Sequence, residues 1–129
     1  MDFVHAVAML AVIQYLVFAG MVGKARGRYG VKAPAVTGDE RFERIYRVQM
    51  NTLELLVALL PALYAAAYYW PATVVSGAGA VYLVGRLVYW RAYVVEPGGR
   101  GLGFMLSVLP TFGLALAALV AAVLGKSAV

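Results

Sequence analysis

The chain contains no cysteine and a single histidine, His5. No disulfide framework, no cysteine nucleophile and no thiolate metal site can be built from it. The usual His/Cys metal constellations are also out of reach, so no metal is expected. Charge is sparse, at 13% of residues, where a soluble domain carries about a quarter. Acids are the scarcer sign, six against eleven Lys and Arg. The basic residues hug the ends of apolar runs and form no stacking surface, so a nucleic-acid partner is not expected. What fills the space instead is apolar: 64% hydrophobic residues and a mean hydropathy of +0.82. This composition implies an all-α integral membrane protein of one domain, residues 1–129.

Four apolar runs are each long enough to cross a hydrocarbon core of about 30 Å. They lie at about 3–22, 45–70, 72–95 and 102–124, with Pro61 and Pro110 inside the second and fourth. The first run does not read as a signal peptide, because Met1-Asp2-Phe3-Val4-His5 lacks a basic leading region. His5 is expected to pack or to sit at the interface. Tyr68-Tyr69-Trp70-Pro71 is an uncharged aromatic turn between the second and third runs. Glu96-Pro97-Gly98-Gly99 breaks the chain before the fourth.

The one long polar loop is expected to start at Gly23 and to run to Arg41. Around it, Lys24, Arg26, Arg28, Lys32, Arg41 and Arg44 oppose only Asp39, Glu40 and Glu43. Thr37-Gly38-Asp39 reads as a turn into the second helix. Glu40/Arg44 and Glu43/Arg47 are spaced i, i+4 in the favourable order for ion pairs. With Arg91 and Arg100 flanking the third loop, the positive-inside rule puts the first and third loops in the cytoplasm and both termini on the opposite side. Topology and lipid headgroups account for most of this charge.

They do not account for the charge inside the second run. Arg47, Asn51 and Glu54 are spaced i, i+4 and i+7, so they fall on one stripe of a helix. A charge at the centre of a spanning helix costs roughly 2.5–3.5 kcal/mol on insertion scales, so such residues are functional candidates. Gln49 lies about 200° round from Arg47 and must face another neighbour. The third run carries a matching stripe, Arg86, Tyr89 and Tyr93. Counting about 1.5 Å per residue from the cytoplasmic face, Arg47 and Tyr93 share a level about 3 Å down. Asn51 and Tyr89 lie about 9 Å down, and Glu54 and Arg86 about 13 Å. Arg26 and Arg100 stand at the rim. The plain alternative is that Glu54 and Arg86 neutralise each other and the tyrosines only pack. Against it, four arginines converge with one acid, and guanidinium groups grip carboxylates in pairs of bonds, so a small anionic or zwitterionic ligand is expected.

Phe42 to Glu54, read as Phe42-Glu43-Arg44-Ile45-Tyr46-Arg47-Val48-Gln49-Met50-Asn51-Thr52-Leu53-Glu54, resembles the signature of the MAPEG family, the membrane-associated proteins in eicosanoid and glutathione metabolism. The resemblance continues through Tyr82-Leu83-Val84-Gly85-Arg86-Leu87-Val88-Tyr89-Trp90-Arg91-Ala92-Tyr93 to Arg100. It implies a four-helix subunit in a homotrimer, with glutathione as co-substrate bound between subunits near the cytosolic face. Carried over by position, Arg47, Asn51, Glu54, Tyr89, Tyr93 and Arg100 would contact glutathione from one subunit, and Arg26 and Gln49 from the next. Arg100 would be the catalytic residue, holding the thiol as thiolate. Gly27, Leu55, Gln49-Met50, Gly101 and Phe112 depart from the family's leukotriene-forming and prostaglandin-isomerising branches. The implied activity is therefore a general glutathione transferase, with possible peroxidase chemistry, acting on a hydrophobic electrophile that enters from the lipid. Two other readings compete. One is a non-catalytic lipid-binding scaffold on the same fold. The other is a small proton-coupled exporter, which the lack of a carboxylate deep in the first run disfavours.

Overall fold

The structure is a computed structural model that describes all residues from Met1 to Val129. It contains four long helices: α1 (Asp2–Tyr29), α2 (Glu40–Tyr69), α3 (Ala72–Val95) and α4 (Gly101–Val123). A short 3-10 turn, Pro97–Arg100, leads into α4. All four helices are long and apolar enough to cross a membrane. Pro61 and Pro110 are both accommodated within helices.

The first loop is shorter than the sequence suggests. α1 continues through Lys24, Arg26 and Arg28 and stops only at Gly30, whose φ of 71° is left-handed. Basic side chains in a last turn favour the negative end of the helix dipole, so polarity alone does not end a helix there. Gly30 does, donating its N–H to the carbonyl of Arg26 in an αL cap. α2 begins five residues before the expected apolar boundary. Asp39 caps it by accepting from the N–H groups of Arg41 and Phe42, and Glu40 and Glu43 stand in its first turn. Of the two expected ion pairs, Glu40–Arg44 forms at 2.6 Å. Glu43–Arg47 does not. Glu43 turns back to accept from the Gly38 N–H at 3.2 Å, and Arg47 pairs deeper along its own helix.

α1 and α4 each pack on both α2 and α3 and hardly on each other, so α2 and α3 form the middle of the bundle. The core is small residues and leucines: Ala8, Ala11, Leu59, Leu63, Ala66 and the ring of Tyr82. Close approach of α3 and α4 needs glycine at two points. A Cβ at Gly85 would lie 2.8 Å from the Leu106 backbone, and one at Gly103 would strike the backbone of Tyr89. Small residues at helix contacts are how membrane bundles gain packing, since lipid supplies no hydrophobic drive between helices. The outer surface is a coat of exposed Ile13, Leu16, Val57, Val84, Leu109 and Leu119, which suits lipid contact.

The two ends of the bundle differ. At one, Arg44 donates to the carbonyls of Val95 at 2.9 Å and Val94 at 3.4 Å, tying the start of α2 to the end of α3. At the other, the Trp70 indole donates to the Ala117 carbonyl at 3.0 Å, and the His5 ring lies 5.7 Å from that of Tyr64. The first and third connections therefore share the basic end, and both termini share the aromatic end.

Candidate functional site

At the basic end a cavity of about 600 Å³ opens between α2, α3 and the start of α4. Arg47 and Asn51 line it from α2, Tyr89 and Tyr93 from α3, and Arg100 and Phe104 from the last segment, with Gly98 and Gly101 at its edge. The helical period explains the first four. Residues four apart on a helix stand one above the other, so each helix offers two polar side chains to the same cleft. The rings of Tyr89 and Tyr93 stack with centroids 5.4 Å apart. Arg100 ends the 3-10 turn. One of its terminal nitrogens donates to the Pro97 carbonyl at 2.8 Å, and the side chain is otherwise exposed at the cavity.

Glu54 does not line the cavity. Its carboxylate accepts from Arg47 at 3.0 Å, and both side chains are about half exposed, 56% and 47%. The expected alternative pairing of Glu54 with Arg86 does not occur. Matching depth along two helices gives a shared level and says nothing of the direction each side chain faces. Arg86 faces inward and is fully buried. Its Nε donates to the Ser107 hydroxyl at 2.9 Å, and its Nη1 to the Asn51 amide oxygen at 2.7 Å and the Thr52 hydroxyl at 3.3 Å. Its guanidinium also lies 4.3 Å from the centroid of the Tyr89 ring. A buried cation is thus held by neutral acceptors and an aromatic face, with no carboxylate in contact. Two of its partners, Asn51 and Tyr89, line the cavity.

Thr52 and Ser107 were not singled out from sequence. Their signal is their occurrence in the middle of apolar runs. Both also back-bond their own helices, Thr52 to Val48 at 2.7 Å and Ser107 to Gly103 at 2.7 Å, so a hydroxyl there need not imply a partner on another helix.

Arg26 and Gln49 lie apart from the cavity. Arg26 donates to the carbonyls of Ala35 at 2.7 Å and Val31 at 3.3 Å, and its guanidinium stands 5.0 Å from the Phe42 ring centroid. It folds the loop after Gly30 back onto α1 and α2. Gln49 donates to the Tyr15 hydroxyl at 3.3 Å, on the α1 side of α2. Of the eight residues that the family resemblance assigns to the ligand, the fold brings Arg47, Asn51, Tyr89, Tyr93 and Arg100 to one cavity. Glu54 is one ion pair away, and Arg26 and Gln49 are on another face.

Comparison with known proteins identifies relatives along most of the chain. The MAPEG family model matches residues 4–120. The chain is 39% identical to human microsomal glutathione S-transferase 2 over 103 residues, 80% of this chain and 70% of that one. It is 44% identical to an uncharacterized protein of Synechocystis sp. over 113 residues, 88% and 82% of the two chains. With bovine leukotriene C4 synthase it shares 35% over 88 residues, 68% of this chain and 59% of the other.

Proposed function

This chain belongs to the MAPEG family, and from that premise we propose that it is a membrane-embedded glutathione transferase. It activates glutathione as a thiolate for attack on hydrophobic electrophiles or lipid hydroperoxides. It works as a homotrimer of single-domain subunits, with its active-site loops in the cytoplasm and both termini opposite. The observation that carries the reading is the cavity at the basic end. It joins two guanidinium groups, Arg47 and Arg100, to the amide of Asn51 and the hydroxyls of Tyr89 and Tyr93.

The chemistry follows from those groups. Glutathione brings two carboxylates, one ammonium, two amides and one thiol. Arg47 exchanges its bond to Glu54 for one to a glutathione carboxylate, and the released Glu54 takes the ammonium. One internal ion pair thereby becomes two intermolecular ones. Asn51, Tyr89 and Tyr93 hydrogen-bond the peptide. Arg26 and Gln49 reach the tripeptide from the adjacent subunit, which fits their lying on another face. A free thiol titrates near 8.5, and the thiolate is the nucleophile. A fixed cation beside it, here Arg100, favours the charged form. The thiol proton leaves to solvent, and the sulfur bonds to the electrophilic carbon, whose leaving group departs with its electron pair. With a hydroperoxide it bonds instead to the terminal oxygen as the O–O bond breaks, the lipid alkoxide takes up a proton, and a second glutathione reduces the sulfenic product to disulfide and water. Holding both reactants in place lowers the barrier further.

The ultraviolet difference spectrum of the purified protein on adding glutathione tests the reading. The wild type should develop a thiolate band at neutral pH. Arg100→Ala should lose the band and its turnover while keeping most of its glutathione affinity. Turnover that survives Arg100→Ala would remove Arg100 from this role. Absence of the band in both folded proteins would favour the non-catalytic scaffold.

A further inference from the structure

A second concavity shares no residue with the cavity at Arg100. It lies between α1 and α3, beneath the start of α2, and encloses about 480 Å³. Its two halves differ in kind. Lys24, Arg28 and Arg41 stand at one side, and Met21, Ile45 and Trp90 form an apolar wall. The cations are gathered rather than scattered. The guanidinium groups of Arg28 and Arg41 lie 5.5 Å and 4.4 Å from the centroid of one ring, that of Tyr29. Only Arg41 has an anionic partner, Asp39 at 2.9 Å. Lys24 and Arg28 have none. Lys24 and Arg28 stand one turn apart on α1 with no acid partner, and such a pair favours an anion between them.

The apolar side continues into the membrane. Stepping down α1 from Met21 along the same stripe leads to Val17, to Gln14, whose amide donates to the Leu83 carbonyl at 3.0 Å, and to Leu10, and stepping down α3 from Trp90 leads to Leu87. Val17, Leu10 and Leu87 are about half exposed. The groove therefore offers a charged head and an apolar track leading away from it, at the end of the bundle where the helices leave the hydrocarbon. A free anion would use only the first feature, whereas an amphiphile uses both.

We propose that this groove binds an anionic phospholipid. Its phosphate lies against Lys24 and Arg28, and an acyl chain lies along Met21, Ile45 and Trp90. The site stands independently of the glutathione reading. It also agrees with the proposed orientation, since anionic lipids concentrate in the cytoplasmic leaflet.

Trp90 makes the site readable. The chain has two tryptophans, and Trp70 lies at the far end of the bundle. In a Trp70→Phe variant reconstituted in vesicles, Trp90 fluorescence reports contact with lipids carrying dibrominated chains. Brominated phosphatidylglycerol should associate about thirtyfold more strongly than brominated phosphatidylcholine, the order expected for two unpaired basic groups. Lys24→Gln combined with Arg28→Gln should bring that ratio close to one. If Trp70→Phe does not fold, the wild-type signal minus that of Trp90→Phe isolates the same probe. Equal quenching by the two lipids would overturn the proposal, as would a preference that survives the double substitution. Loss of the preference in millimolar inorganic phosphate would also overturn it, by assigning the cations to a free anion.

Discussion

Arg86 carries a full charge in a place with no carboxylate to answer it, and its bonds determine where two cavity residues stand. Its guanidinium holds the Asn51 amide oxygen and backs the Tyr89 ring. Arg86→Gln should therefore cost several kcal/mol of stability, because it removes the guanidinium's bonds to Asn51, Thr52 and Ser107 and hydrogen bonds to a charged group are each worth about 1.5–3 kcal/mol. It should also weaken glutathione binding, since Asn51 loses the group that orients it. Arg86→Lys keeps the charge and loses the fork, so it should recover only part of both effects. Thermal unfolding in detergent and calorimetric glutathione titration would read the two separately. At Glu54 the expected result depends on the ligand. Glu54→Gln should weaken glutathione binding by about tenfold, one lost charge-assisted bond. A glutathione analogue lacking the α-amino group should bind the two proteins equally. Equal loss for both ligands would show that Glu54 acts through Arg47 and not on the ammonium. These residues were legible to different degrees. The stripe of Arg47, Asn51 and Glu54 follows from the helical period alone. The partner of Arg86 does not, because it depends on the rotation of α3 against α2 and α4.

Helix ends show a similar division. The turn at Thr37-Gly38-Asp39 and the break at Glu96-Pro97-Gly98-Gly99 were readable, since capping and turn residues act through local hydrogen bonds. The C-terminus of α1 was not placed at Gly30, because the basic residues before it read equally as loop or as a last helical turn. The N-terminus of α2 has a titratable cap. The Arg41 side chain, with the N–H groups of Arg41 and Phe42, holds the Asp39 carboxyl down at about 2, from its ordinary 3.8. A group whose pKa is lowered by folding contributes stability above its ordinary value, and that contribution is lost as pH falls through the folded value. Amide exchange in the first turn of α2 should therefore speed up between about pH 4 and pH 2, relative to the middle of the helix. Asp39→Asn should flatten that pH dependence.

Across the whole molecule, the division of the site is the main expectation. Arg26 and Gln49 face away from the cavity that holds Arg100, so the proposed trimer would complete each site with a neighbour's α1 and α2. Mixed assemblies test this directly. Arg26→Ala and Arg100→Ala chains should each be nearly inactive alone. Co-expressed and purified as a mixture, they should regain a fraction of wild-type turnover, because some interfaces pair an intact Arg26 with an intact Arg100. No recovery in verified mixed oligomers would place Arg26 outside the site, in keeping with its bonds to Ala35 and Val31.

By itself the sequence determined that the chain is four spanning helices, with a basic end, an aromatic end and polar stripes on the second and third helices. Those features depend on composition, length and a fixed period of 3.6 residues, which are local quantities. Only the tertiary structure decided which polar groups meet. It sent Arg86 to Asn51 and Ser107 rather than to Glu54, and opened one cavity beside α4 and another beside α1. The physical reason is that helix rotation in a lipid-embedded bundle is set by the close packing of small residues. Gly85 sits against Leu106, and Gly103 against Tyr89. Such contacts join positions far apart in sequence, and no periodicity within a single helix encodes them.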